Sequence, residues 1–261
     1  MFLNMTVQCL ELPWFQNVFI KVLEHRKNVY SQNGEDGVIE YLLDKLKIDS
    51  GTCCEFGAWD GKHLSNTFNL TKDRKWKSLY IESDEEKYND LLETCKEYPN
   101  IVPVHSFVTG DNLDDLIINN GFPEDLDILS IDVDSIDYDI WKGLKRVRPK
   151  LVIIEPNNST PLWEKCMKYD GNGASPFLIK ELAREKGYTF LCTTGNLFFI
   201  RDDINIFDPD IQVDFPWWLD QNTKSIVSYV SNTVSDEQLD DYGRDLIKYV
   251  RGYKLGYMCV E

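Results

Sequence analysis

The stretch Thr52-Cys-Cys-Glu-Phe-Gly57-Ala-Trp-Asp-Gly61 decides the fold. Thr52 to Phe56 is a short, mostly apolar run, and it reads as a buried strand that feeds a tight loop. Gly57 and Gly61 permit a sharp turn and let a ligand approach the backbone closely. Upstream, Asn33 is the expected cap of a helix in which Val38, Ile39, Leu42, Leu43 and Leu46 recur at helical spacing. Downstream, Ser78 to Glu82 reads as a second strand. Ser83-Asp-Glu-Glu86 then reads as a capping box, and the helix behind it carries Tyr88, Leu91, Leu92 and Cys95 until Pro99 stops it.

The alternation continues along the chain. Ile101 to Val104 is the third strand, and Asp111 and Gly121 bracket another helix. Leu126 to Val133 and Leu151 to Glu155 are strands four and five. Ser175-Pro176 opens a helix that Gly187 closes. Tyr188 to Cys192 and Asn196 to Ile200, joined by Thr-Thr-Gly, predict a closing hairpin. Strands alternating with helices pair in parallel through right-handed crossovers, with helices on both faces, and the hairpin adds an antiparallel edge. The expected class is α/β. The expected organisation is an extension over 1–30 packing on the core, a core over 31–201, and a second extension over 202–261 that offers acceptor or oligomer contacts.

Charge narrows the partners. The 261 residues hold 28 Lys plus Arg against 44 Asp plus Glu, a net charge of −16. Nucleic-acid binding draws its free energy from cationic neutralisation, so nucleic acid and anionic membrane surfaces are disfavoured. No apolar run approaches the ~18 residues of a spanning helix, and the N-terminus lacks the basic and apolar regions of a signal peptide. None of the seven cysteines forms a CxxC pair, which points to reduced, mostly buried thiols and a cytoplasmic location. A homo-oligomer is compatible with this composition.

In an open α/β sheet, ligands bind beyond the carboxyl ends of the strands, where the strand order reverses. Strand one ends in Glu55 and Gly57-Ala58-Trp59-Asp60-Gly61. Strand two ends in Glu82, about 20 residues after Gly61, where a carboxylate takes ribose hydroxyls. Strand four ends in Asp132-Val-Asp134-Ser-Ile-Asp137, and strand five in Glu155-Pro-Asn157. Such an accumulation of acids repels phosphate. It suits a sulfonium, a ribose diol, an amino group or a divalent metal.

Glu55-x-Gly57-x-x-x-Gly61 with an acidic strand-two end resembles the cofactor site of class I S-adenosylmethionine-dependent methyltransferases. The ordered set Ser31-Gln-Asn-Gly-Glu-Asp-Gly37, Glu55 to Gly61, Ser65-Asn-Thr67, Asp132 to Tyr138, Ile154-Glu-Pro-Asn157, Gly173-Ala-Ser175 and Lys186-Gly-Tyr188 is closer still to the FkbM-like group. The resemblance covers about residues 30 to 201. It implies a Rossmann-like methyltransferase fold with a seven-stranded, mostly parallel sheet, and S-adenosylmethionine as cofactor. It further implies methyl transfer to a hydroxyl of a sugar, glycan or similar small polar acceptor.

On that resemblance, Gly57, Ala58 and Gly61 line the methionine part, and Glu82 with Ser83 holds the ribose. Asn66 and Thr67 bind the amino-acid end beside Glu55, and Ser106 and Phe107 border the adenine. The sequence departs from the general pattern with Trp59 and Asp60 inside the glycine turn, and with His105-Ser-Phe in place of a strand-three Asp.

Asp132, Asp134 and Glu155 are the catalytic candidates. With Asn157 they offer hard oxygen ligands suited to Mg²⁺, which would hold the acceptor oxygen as an alkoxide. Without metal, Asp134 or Asp137 is the expected base, and His105 a more distant one. Gln32, Glu35, Asp36, Asp137 and Asn157 are candidates for the acceptor side. Glu35, Asp36 and Asp137 read equally well as acids complementing a helix start. Two other functions are open. Asp132-Val-Asp134 also fits a metal-dependent glycosyltransferase, in which an Asp-x-Asp holds Mn²⁺ and a nucleotide sugar. A non-catalytic binding module on the same fold is the third.

Overall fold

The computed structural model describes residue 22 and residues 24–133, 135–157, 167–168 and 173–207. Helix α1 (Glu35–Leu46) leads into β1 (Thr52–Phe56), α2 (Phe68–Asp73), β2 (Lys77–Glu82), α3 (Glu85–Glu97), β3 (Ile101–His105), α4 (Leu113–Asn119), β4 (Ile128–Ile131), α5 (Asp137–Gly143) and β5 (Leu151–Ile154). A two-residue ladder of β6 (Met167–Lys168) and β7 (Gly173–Ala174) follows. The described chain then runs through α6 (Pro176–Glu185), β8 (Tyr188–Thr193) and β9 (Leu197–Arg201).

Seven strands form one sheet in the order β3-β2-β1-β4-β5-β9-β8. The first five are parallel, and β9 enters antiparallel between β5 and β8. This is the α/β Rossmann-like methyltransferase fold, with its antiparallel hairpin at the end. Strand order reverses between β1 and β4, so the crevice of the fold opens at their carboxyl ends.

The residues explain the order. Ile128–Ile131 and Leu151–Ile154 are buried at every position, the mark of central strands covered on both faces. Pro103 lacks an amide hydrogen and sits in β3, at the edge of the sheet. Asp127 stitches the amino edge: its carboxylate accepts from Thr52 N–H at 2.8 Å and from Lys150 Nζ at 2.6 Å, which ties the starts of β1, β4 and β5.

Three details differ from expectation. Helix α1 begins at Glu35 after a left-handed Gly34, and Asn33 does not cap it. The Asn33 N–H instead donates to the Glu35 carboxylate at 2.8 Å. Asp84, not Ser83, caps α3, accepting from Glu86 and Lys87 N–H. Helix α4 starts at Leu113 with no side-chain cap, so Asp111 does not open it. Asn112 closes its own loop by accepting from Thr109 N–H. The cap at Ser175 with Pro176 behind it stands as expected.

Candidate functional site

Glu55 is the first residue to place. It is buried at the end of β1 and accepts from Ser65 Oγ (2.8 Å), Asn66 N–H (3.0 Å), Thr67 N–H (3.1 Å) and Thr67 Oγ1 (2.5 Å). Burial raises its carboxyl above the ordinary value, and the donors from Thr67, Ser65 and Asn66 draw it part of the way back. Asn66 and Thr67 are therefore committed to Glu55, to Ser130 and to Tyr80. They stand behind the site and do not line its cavity.

The glycine turn follows. Gly57 has φ +71°, and a Cβ there would lie 2.3 Å from the Asp132 carbonyl oxygen, so the turn packs directly on the exit of β4. The Gly61 N–H donates to Ala58 O at 2.7 Å and closes the turn. Asp60 folds the segment beyond it by accepting from Lys62 and His63 N–H. Trp59 takes a left-handed φ of +48° and keeps 42% of its surface exposed, with Lys87 Nζ 4.8 Å from its ring centroid and His63 edge-on to it.

Glu82 ends β2 and clamps the turn. Its Oε2 accepts from Trp59 N–H at 2.8 Å, and its Oε1 from Ser83 (2.7 Å) and Asp84 (2.8 Å) N–H. A carboxylate offers about four acceptor positions, so one is left toward a ligand.

These pieces surround a cavity of about 430 Å³ at the carboxyl ends of β1 to β5. Gln32, Glu55, Gly57, Glu82, Ser83, Ser106, Phe107, Asp132 and Glu155, all singled out in the sequence, line it. Phe107 leaves 64% of its surface exposed at the rim. Trp59, His63, Leu64 and Lys87 line it as well, over an apolar floor that includes Phe56, Ile81 and Val108. Leu64 and Lys87 carry no motif. The signal for Lys87 is a lone cation in the first turn of a helix that opens Asp84-Glu-Glu, where acids are the favourable choice.

Other expected members lie elsewhere. Glu35 is fully buried and bridges Asn33 N–H to Thr194 Oγ1 (2.6 Å), tying the loop before α1 to the β8–β9 hairpin. Asp36 Oδ2 gathers the N–H groups of Val29, Tyr30 and Ser31 with the Ser31 hydroxyl. Both acids build the loop that presents Gln32 to the cavity. Asp137 Oδ1 accepts from Val133 N–H at 2.9 Å and shapes the exit of β4. Asn157 is buried, with its N–H on Ala174 O, and does not line the cavity. His105 stacks on Tyr88, with Nε2 3.0 Å from Ser83 O, and is likewise outside it.

Asp134 lies outside the described residues, as does the extension beyond residue 207. Among the described residues no three His, Cys, Asp or Glu side chains gather as metal ligands, and no helix is long and apolar enough to cross a membrane.

No family model matches this sequence, and no curated protein matches it. Solved structures do resemble it in shape. TrmK of M. capricolum, determined with S-adenosylhomocysteine, shares 11% identity over 85% of this chain and 98% of that chain, with a TM-score of 0.44. A SAM-dependent methyltransferase from Aquifex aeolicus shares 12% over 71% and 97%, with a TM-score of 0.39. The CurJ carbon methyltransferase shares 11% over 69% and 56%, with a TM-score of 0.46. The fold assignment rests on strand order, and neither the activities nor the substrates of those proteins pass to this chain.

Chemically, among the described residues the cavity sets four carboxylates (Glu55, Glu82, Asp132, Glu155) against one lysine, which lies over an indole. Such a wall favours a cationic or hydroxylated ligand and opposes a diphosphate.

Proposed function

We propose that the chain is an S-adenosylmethionine-dependent methyltransferase that methylates a hydroxyl of a sugar, glycan or similar small polar acceptor. The observation that carries this reading is the acid-lined cavity at the switch point, closed on one side by the Gly57 turn and on another by Glu82. A sulfonium and a ribose diol match that wall, and a pyrophosphate does not. The cavity also has the volume of an ordinary small-molecule site.

When bound, the cofactor supplies a methyl group made electrophilic by its sulfonium. Glu82, with its remaining acceptor position, takes a ribose hydroxyl beside Ser83, and Ser106 and Phe107 border the adenine. The backbone of Gly57 faces the methionine part, whereas Ala58 and Gly61, expected beside it, pack toward the core and do not line the cavity. Asn66 and Thr67 act through Glu55, which they hold in place. Asp132 and Glu155, on neighbouring strand ends, are the described carboxylates able to accept the hydroxyl proton of an acceptor held near Gln32. Positioning of that hydroxyl supplies much of the acceleration. Of the oxygen ligands expected for Mg²⁺, Asp132 and Glu155 share the cavity, Asn157 does not line it and Asp134 lies outside the described residues, so the described side chains alone do not make a metal site. Buried thiols at Cys53 and Cys54 suit a reducing cytoplasm.

The test is incubation of the full chain with methyl-labelled S-adenosylmethionine and a panel of sugar, amine and carbon acceptors, with and without a chelator. Label in a sugar methyl ether, lost in Asp132→Asn, is the expected result. Label confined to nitrogen or carbon removes the O-methyl assignment, and turnover unchanged by chelator removes Mg²⁺. Cofactor binding without turnover on any acceptor leaves a binding module.

A further inference from the structure

The amino edge of the sheet carries a second cavity, of about 300 Å³, at the opposite end of the strands from the acid-lined cleft. Trp141, Leu144, Val147 and Tyr188 give it a buried apolar floor, and the rest of its lining is Lys145, Arg148 and Lys186. In a chain with 44 acids against 28 bases, a lining of three cations and no carboxylate runs against composition.

Neighbouring cations are paired. Arg146 meets Asp115 and Glu124, Lys150 meets Asp125 and Asp127, and Arg201 meets Asp125 and Asp203. Among the described residues, Lys145, Arg148 and Lys186 enter no ion pair. Backbone oxygens hold two of them: Lys186 Nζ donates to Leu144 O at 2.6 Å, and Arg148 Nη2 to Lys186 O at 3.4 Å. Most of their N–H groups remain to be used.

The acids of this corner are engaged elsewhere. Asp114 accepts from the N–H groups of Lys145, Arg146 and Val147, and Asp202 accepts from the Thr189 hydroxyl. Burial lowers the Lys186 ammonium below its ordinary value, Asp114 opposes this, and the charges of Arg148 and Lys145 lower it further. The Trp141 indole N–H stands behind this floor, buried without an acceptor, and so reports on the cavity without opening into it.

We propose that this cavity binds a small phosphate-type oxyanion, with Lys145, Arg148 and Lys186 supplying both the charge and the hydrogen-bond donors over the apolar floor. Three cations match a dianion better than a carboxylate, and the arginine fork suits its geometry. The site is separate from the cleft and stands whether or not the cofactor reading holds.

The test titrates inorganic phosphate into the full chain at constant ionic strength. It follows the indole ¹⁵N–H resonance of Trp141, assigned with Trp141→Phe. A saturable shift is expected, weakened about tenfold or more in the Lys145→Gln/Arg148→Gln double variant. Both substituted side chains are exposed, and the affinity of that variant for S-adenosylhomocysteine should be unchanged. The proposal is overturned by no saturable shift, by equal affinity in the double variant, or by a shift that matched chloride reproduces. A sugar phosphate in a parallel titration separates the sources: tighter binding than inorganic phosphate assigns the site to a phosphorylated metabolite, and equal binding assigns it to the free ion.

Discussion

The two edges of the sheet use the same residue types to opposite ends. At the amino edge, acids meet cations: Asp127 with Lys150, Asp125 with Arg201, Glu124 with Arg146. At the carboxyl edge, Glu55, Glu82, Asp36 and Asp137 accept from backbone amides and hydroxyls, while Asp132 and Glu155 line the cavity. Amides fix the position of a carboxylate without cancelling its charge. The amino edge is thereby braced by ion pairs, apart from the three cations of the second cavity, and the carboxyl edge sets carboxylates on the wall of a shaped cavity.

Substitutions at the two edges should separate these roles. Gly57→Val is expected to have the largest effect, since it adds a strained left-handed φ and an overlap with the Asp132 carbonyl. A loss of roughly 2–5 kcal/mol from strain and overpacking is expected, together with loss of any rise in melting temperature on adding S-adenosylhomocysteine. Glu55→Gln comes next. It places amide hydrogens against Ser65, Asn66 and Thr67 donors and should cost about 2–3 kcal/mol in urea unfolding. An unaltered midpoint would show that these donors do not depend on the charge.

At the amino edge, Lys150→Met should cost about 1–3 kcal/mol, because it leaves the partly buried Asp127 without its cation. Cofactor affinity should not change. Burial lowers the Lys150 ammonium, but Asp127 and Asp125 more than reverse that, so its folded pKa stands above 10.5. Its contribution is therefore complete below the ordinary lysine range and is lost as pH rises through the folded value. Wild type should lose this stability in strong alkali while the Met variant does not, which denaturation across that range reads directly. Arg146→Ala should have the smallest effect, under about 1 kcal/mol, since its ion pairs are exposed.

Much of this was legible in the sequence. The alternation of strands with helices and the Thr-Thr-Gly hairpin specify the sheet, and Glu55, Gly57, Glu82, Asp132 and Glu155 fall at its carboxyl ends. Helix α2 was not legible, because its six residues carry no helical period. The caps at Asn33 and Ser83 were misplaced because the amides they would take go to other acceptors: Asp36 N–H donates to Ser31 Oγ, Gly37 N–H to Lys27 O, and Glu86 and Lys87 N–H to Asp84. Asn66 and Thr67 were misassigned for a related reason: a polar triplet near a glycine turn reads alike whether it holds a ligand or a buried carboxylate. The place of Lys87 over Trp59 depends on a left-handed tryptophan, which no local pattern announces.

Isothermal titration of the full chain with S-adenosylhomocysteine and, separately, with UDP-sugars in the presence of Mn²⁺ tests the central claim most directly. The acid-walled cleft predicts saturable binding of S-adenosylhomocysteine, lost in Glu82→Ala with the fold retained, and no binding of the nucleotide sugars. Binding of a UDP-sugar with none of S-adenosylhomocysteine would contradict it.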